Sequence, residues 1–214
     1  MSRTALGFTR APTGAHWGLG QLADAGGTVT LIRWTVEPAP VDEGMPPAVG
    51  AVLARALTGV GDVTFPIAPG VHYSDASVRK LRVEPLARRW WSRLTGRPYC
   101  FALATTRRAA VAEAMFDDGL FAWWMGRQFA LLSDAAPAIT SATALALLEP
   151  EWAMQADALA RDDVFAVIRA GVDGDVLGLW SRDDPTEARI LAAIGDAAAQ
   201  AGLSWHALVE KEWP

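Results

Sequence analysis

An Asp-Gly pair between two strand-like runs is the sequence feature that most constrains the fold. Residues 164–170 and 176–180 are rich in β-branched and large apolar side chains, and they flank Asp173-Gly174. Asp-Gly supplies the positive φ angles of a type I′ turn, so this segment predicts a β-hairpin. The fold must therefore accommodate antiparallel strand pairing.

Two further stretches repeat an order of strand, helix and strand. The first predicts a strand at 28–36, a helix at 48–57 and a strand at 63–67, with Gly and Pro marking the boundaries. The second predicts a strand at 99–105, a helix at 107–116, and either one long strand or a bent hairpin at 120–132. The units share the order of their elements and are not a sequence repeat.

The segment after the hairpin predicts a helix and a final strand. Acidic residues and Pro185 stand where a first helical turn favours them, and Gly202 follows the expected end near Ala201. A strand is expected at 203–209, and a helix at 141–161 with Pro150 as a kink or a new start. Hairpins outnumber parallel crossovers, so we predict one α+β domain over residues 1–214, with a mixed, largely antiparallel sheet flanked by helices.

Composition excludes several function classes. The sequence has no apolar run of signal-peptide or membrane-spanning length, so we expect a cytoplasmic protein without membrane insertion. Cys100 is the single cysteine, so no intrachain disulfide can form. The three histidines lack ligand-like spacing, and Gly18-Leu19-Gly20 has no preceding strand that would make it a dinucleotide-binding turn. We therefore predict no metal and no cofactor.

Charge is distributed very unevenly along the chain. Residues 79–108 contain nine of the 19 Lys and Arg residues and one acid, Glu84, which gives this segment a charge of +8. The whole chain carries −5, so the remaining residues sum to −13. We call residues 79–108 the basic block. Such polarity favours an anionic partner, which is either an acidic protein surface or a small anionic ligand.

The middle of the basic block predicts an amphipathic helix that starts at Glu84-Pro85 and ends at Gly96. At about 100° per residue its Trp and Leu side chains share one arc and its Arg side chains the other. Either the arginines are simply solvated, or they form a docking face for carboxylate or phosphate groups of a partner. On the second interpretation, the partner-binding residues are Arg88, Arg89, Trp90, Trp91 and Arg93.

The end of the basic block predicts an anion-binding site. Arg107 and Arg108 fall in the first turn of the expected helix, where the macrodipole disfavours positive charge, so a bound anion would offset the cost. Free backbone N–H groups and a Thr N-cap at the same junction support this interpretation. The predicted anion-binding residues are Thr105, Thr106, Arg107 and Arg108. The alternative is that the two arginines pair with acids elsewhere in the chain.

Two functions from different classes fit these features. The absence of catalytic signatures favours an interaction protein, such as an adaptor or a toxin-neutralising immunity protein, that docks through charged and Trp-rich surfaces. The alternative is an enzyme in which Arg107 and Arg108 hold a phosphorylated or carboxylated substrate near His72, Tyr73 or Asp75. Nucleic acid is an unlikely partner because the net charge is negative.

Overall fold

A computed structural model describes eight stretches of the chain, which together carry one sheet and the helices on it. The described residues are 3–10, 26–37, 45–67, 82–85, 102–117, 129–134, 164–170 and 176–208.

Nine strands and three helices occur in these stretches. The strands are β1 (Arg3–Arg10), β2 (Thr28–Glu37), β3 (Asp62–Ile67), β4 (Arg82–Pro85), β5 (Ala102–Thr106), β6 (Phe129–Ser133), β7 (Val164–Ala170), β8 (Val176–Ser181) and β9 (Ser204–Ala207). The helices are α1 (Pro47–Val60), α2 (Ala109–Asp117) and α3 (Asp184–Gln200).

All nine strands form one sheet in the order β4-β5-β3-β6-β7-β8-β2-β1-β9. Every neighbouring pair is antiparallel except β1 and β9, which run parallel. This arrangement confirms the predicted α+β class with a mixed, largely antiparallel sheet. The predicted hairpin strands are also confirmed, since β7 pairs with β8 in antiparallel register.

The helices pack on one face of the sheet, which we call the inner face. Helix α1 contacts both α2 and α3, and its Leu53 and Leu57 are fully buried. They belong to the same apolar cluster as the sheet residues Leu6, Ile32 and Phe65. Burial of this one face against three helices is the main apolar contribution to stability that the described residues show.

The centre of the sheet is buried on its other face as well. Val29 and Leu31 alternate with Thr30 and Ile32 along β2, and all of them are buried. Every residue of β8 is buried. Because successive side chains of a strand point to opposite faces, β8 and residues 29–32 of β2 are shielded from solvent on both sides. This explains why 164–170 and 176–180 are apolar apart from Arg169, which is itself buried.

Strand β1 was not predicted from the sequence. It pairs with β2 from Arg3↔Glu37 to Arg10↔Thr30. Gly7 lowers the β propensity of this segment. The fold nevertheless requires a small residue at position 7, because a Cβ there would lie 2.6 Å from the Leu208 side chain. Long-range pairing, rather than local preference, makes this segment a strand.

The helix predicted to start at Glu84-Pro85 is wrong at its start. Arg82–Pro85 forms strand β4, at one edge of the sheet, and pairs with β5. Proline is tolerated there because an edge strand has one side without ladder hydrogen bonds. The rest of that predicted helix lies in 86–100, outside the described residues. The possible bend at Gly126, within 118–128, and the predicted helix at 141–161, within 135–163, also lie outside them.

The other predicted elements are confirmed with small changes at their ends. The strands predicted at 28–36, 63–67 and 99–105 correspond to β2, β3 and β5, and the helix predicted at 48–57 corresponds to α1. Only the end of the segment 120–132 is described, as β6. Within the described ranges, no helix is long and apolar enough to cross a membrane.

Two substitutions in α1 test the packing of the helices on the inner face. Leu53→Ala should lower the free energy of unfolding by about 2–5 kcal/mol, because the removed atoms leave a cavity between helices and sheet. Gly59→Ala is the matched control in the same helix. Gly59 has open space around it, so alanine should leave stability unchanged or raise it by up to about 1 kcal/mol. Urea unfolding of both variants measures the difference, and equal effects would contradict this description.

Candidate functional site

The predicted anion-binding residues lie where β5 ends and α2 begins. Arg107 and Arg108 precede the helix instead of occupying its first turn, which corrects the sequence-based position. The Arg108 carbonyl accepts the first helical hydrogen bonds, from the backbone N–H groups of Val111 (2.9 Å) and Ala112 (3.1 Å). Arg108 is therefore the N-cap residue, and the expected conflict between its charge and the helix macrodipole is weaker than predicted.

Both threonines of this junction already have hydrogen-bond partners. Thr106 accepts a bond from the backbone N–H of Arg108 at 3.0 Å, so it stabilises the turn before α2 and does not cap the helix itself. The hydroxyls of Thr105 and Thr64 lie 2.9 Å apart across β5 and β3. These two side chains hold the strand end in place.

The Arg107 guanidinium is neutralised by the protein. Its Nε donates to Asp62 Oδ1 at 2.6 Å, and an Nη donates to the Asp134 carbonyl at 2.7 Å. The Asp62 side chain is only 18% exposed, so this pair is more strongly held than a fully solvated one. Arg107 thereby joins the end of β5 to the start of β3 and to the residue that follows β6. This contact corresponds to the alternative in which the arginine pairs with an acid elsewhere.

Arg108 differs from Arg107 in its surroundings. It is exposed, and its guanidinium makes no ion pair or hydrogen bond with the described residues. The first backbone N–H groups of α2 have no intrahelical acceptor. Among the four predicted anion-binding residues, Arg108 is therefore the one whose side chain is available to a ligand or a partner. Anion binding at this junction stays a prediction.

The remaining sequence-predicted site residues lie outside the described stretches. They are the docking-face residues Arg88, Arg89, Trp90, Trp91 and Arg93 and the loop residues His72, Tyr73 and Asp75. His206 is described and lies exposed on β9. In the described part of the chain, no group of three or more His, Cys, Asp or Glu residues could hold a metal ion.

A second polar cluster, which sequence reasoning missed, lies beneath the start of α3. Arg10 and Thr30 are cross-strand partners on the inner face, and both reach Glu187. Thr30 donates to one oxygen of Glu187, and Arg10 donates to the other at 2.6 Å. Arg10 also donates to Asp184 at 2.5 Å. The hydrogen bond to Glu187 and the attraction of that carboxylate raise the pKa of Arg10.

This cluster holds α3 on the sheet and leaves no free group for chemistry. The Glu187 side chain is 8% exposed, whereas those of Arg10 and Asp184 are 59% and 69% exposed. A buried carboxylate is stable only with hydrogen-bond donors around it, and here a hydroxyl, a guanidinium and the nearby helix N-terminus provide them. Arg10 and Glu187 are 177 residues apart in sequence, so no local pattern could indicate the pair.

The start of α3 is fixed by its N-cap. Asp183 accepts a hydrogen bond from the backbone N–H of Thr186 at 2.7 Å and so caps the helix, whose start the sequence predicted at this segment. The hydrogen bonds from Thr186 lower the pKa of Asp183, because they stabilise the charged carboxylate. At the other end, Gly202 has a φ of 71°, which suits the expected glycine beyond the helix.

Comparison with known proteins gives no relative to guide the site. No protein-family model matches the chain, and neither a curated protein nor a solved structure shows significant similarity to it.

The buried and exposed acids that contact Arg10 should differ in their effect on stability. Glu187→Gln should lower the free energy of unfolding by about 1–3 kcal/mol, because it removes a buried hydrogen-bonded charge and leaves donors imperfectly paired. Asp184→Asn, at the same guanidinium, should cost less than about 1 kcal/mol because this pair is exposed. Urea denaturation of both variants tests this order, and a larger loss for Asp184→Asn would contradict it.

Asp183 should make the protein less stable in acid. Its folded-state pKa lies below the ordinary value of 3.8, so the stabilisation is complete well above pH 3.8 and is lost as pH falls through the folded-state pKa. Asp183→Asn keeps a capping acceptor that does not titrate. The stability advantage of the wild type over this variant should shrink from about pH 5 to about pH 2 in urea titrations. A constant difference over that range would show that Asp183 does not titrate as described.

Proposed function

We propose that this protein is a cytoplasmic protein-binding module, of the adaptor or immunity type, that docks its basic block against an acidic surface of another protein. The observation that carries this proposal is the charge segregation, with +8 in residues 79–108 and −13 in the rest of the chain. A field of this kind speeds association with a partner of opposite charge and selects against basic partners.

The state of the arginines supports binding at the end of the basic block. Arg107 is occupied by Asp62 and the Asp134 carbonyl, so its charge serves the fold. Arg108 is exposed beside it and makes no ion pair with the described residues. Guanidinium groups bind carboxylates through paired hydrogen bonds, so a Glu or Asp of a partner is the chemistry that suits Arg108.

The polar clusters of the described residues favour binding over catalysis. An active site needs convergent groups that are free to meet a substrate. The cluster of Arg10, Thr30, Asp184 and Glu187 is instead occupied by its own members, and the same is true of Arg107 and Asp62. These contacts stabilise the fold. Exposed charged groups, such as the guanidinium of Arg108, are then the ones available to a partner.

Affinity purification at two salt concentrations tests the proposal. The tagged protein should retain one stoichiometric protein from its native lysate at about 50 mM salt and release it at about 500 mM, because salt screens exposed charge pairs. Arg108→Glu should weaken the purified complex by roughly tenfold, since it replaces attraction by repulsion. Isothermal titration calorimetry with the recovered partner measures this change.

Arg55→Glu is the matched control for the charge change. Arg55 is exposed on α1 and bonds only to Gln200 among the described residues, so the variant alters net charge equally without altering the basic block. Equal weakening by both variants would indicate a nonspecific charge effect. Retention of no partner at either salt concentration would contradict the proposal and favour binding of a small anion at Arg108, which titration with inorganic phosphate would detect.

A further inference from the structure

The two edges of the described sheet are protected differently. Edge strand β4 has the sequence Arg-Val-Glu-Pro, and charged residues and proline are residue types typical of edge strands that resist pairing with another strand. Edge strand β9 has the sequence Ser-Trp-His-Ala, without Pro, Lys, Arg, Asp or Glu. Its Ser204, His206 and Ala207 are exposed. Strand β9 thus lacks the features with which proteins usually block their sheet edges.

The hydrogen bonds of β9 show which backbone groups face outward. The N–H of Leu208 donates to the Phe8 carbonyl at 2.7 Å, in a parallel ladder with Gly7↔His206 and Phe8↔Ala207 in register. The N–H and C=O of successive strand residues point to alternate sides, so His206 and Leu208 face β1. The backbone groups of Trp205 and Ala207 therefore point away from β1, to the side of β9 on which the described residues place no further strand.

This edge is held rigidly in an extended conformation. The Trp205 ring stacks on Phe8, with 4.7 Å between centroids and 24° between planes. On its other side the ring lies close to α3, because a Cβ added to Gly195 would lie 2.8 Å from Trp205 Cδ1. A strand that is already fixed loses little conformational entropy when another strand pairs with it.

We propose that β9 binds β9 of a second copy of this chain, antiparallel and edge to edge, so that two sheets join into one. A two-fold axis through His206 pairs Trp205 of each copy with Ala207 of the other. These are the residues whose backbone groups face outward, and each such pair can exchange both N–H···O bonds. The two His206 side chains then face each other on the outer face, as a non-hydrogen-bonded pair with closely spaced Cα atoms.

Charge and shape favour a second copy as the occupant. Each chain carries −5, but residues 203–208 contain no acid or base apart from His206, so two copies can meet here without charged residues directly opposed. Gly195 of α3 lies above Trp205, and Ala192 and Ala199, about one turn away on the same side of the helix, are exposed, so this side of α3 carries only small side chains at these positions. The register is also self-complementary, which an unrelated strand need not be.

The dimer should be weak, because so short a strand pair buries little accessible surface. Stable interfaces bury at least about 1,200 Å². We expect a dissociation constant of about 10–500 µM. The proposal uses no residue of the basic block, so it stands or fails independently of the proposed docking function.

Substitutions that place a positive or a negative charge at position 206 test the two-fold arrangement. Sedimentation equilibrium of the full chain from about 5 µM to about 1 mM should show a monomer–dimer equilibrium for the wild type. His206→Lys and His206→Glu should each weaken it about tenfold or more, because each places like charges opposite each other at the axis. An equimolar mixture of the two variants should dimerise again, since a heterodimer places opposite charges there.

The mixture separates this mechanism from other effects of the charge. Arg33 lies in the same row as Gly7 and His206 on the outer face. Its positive charge would favour Glu and disfavour Lys at position 206. Repulsion between like charges at the two-fold axis, in contrast, would weaken the dimer of either variant. His206→Thr should keep the dimer, and so should the control Ala110→Lys on the exposed surface of α2. A wild type that stays monomeric, a dimer unaffected by His206→Lys, or a mixture that stays monomeric would each overturn the proposal.

Discussion

Burial of both faces at the centre of the sheet is the constraint from which the other features follow. Strands β8 and β2 present apolar side chains to the helices and also to the opposite side, so neither face can carry exposed polar groups there. Several charged residues of the described strands stand at strand ends instead, although Arg33 lies within β2 and Arg169 is buried in β7. Arg10, Asp62 and Arg107 all stand at strand ends, where a charge can be partnered without being fully removed from water.

Local sequence signals indicated the parts of the fold that depend on near neighbours. The strands β7 and β8, the start of α3 and the glycine beyond its end were predicted from apolar runs, acids, Pro and Gly, which are signals that act over a few residues. The turn predicted at Asp173-Gly174 lies outside the described residues. Strands β1 and β4 could not be predicted in this way. They become strands because β2 and β5 offer ladder hydrogen bonds to them, and that contribution is absent from any short window of sequence.

The candidate site shows the same division. The sequence correctly placed an arginine pair at a junction between a strand and a helix, but it could not show which arginine was already partnered. Asp62 is brought to Arg107 by the antiparallel pairing of β3 with β5, and Asp134 by that of β3 with β6. Two adjacent residues of the same type thereby acquire different roles, one within the fold and one at its surface.

The pairing order of the sheet also has a consequence for how the chain folds. Strands β1 and β2, near the N-terminus, pair with β8 and β9, and the contact between Arg10 and Glu187 spans 177 residues. On the ribosome, β1 and β2 can pair with each other early, but most of the described chain must be synthesised before their other partners, β9 and β8, exist. Such high contact order slows folding and leaves apolar strands exposed in the meantime. A nascent chain of this protein should therefore depend on chaperones until β8, α3 and β9 have left the exit tunnel.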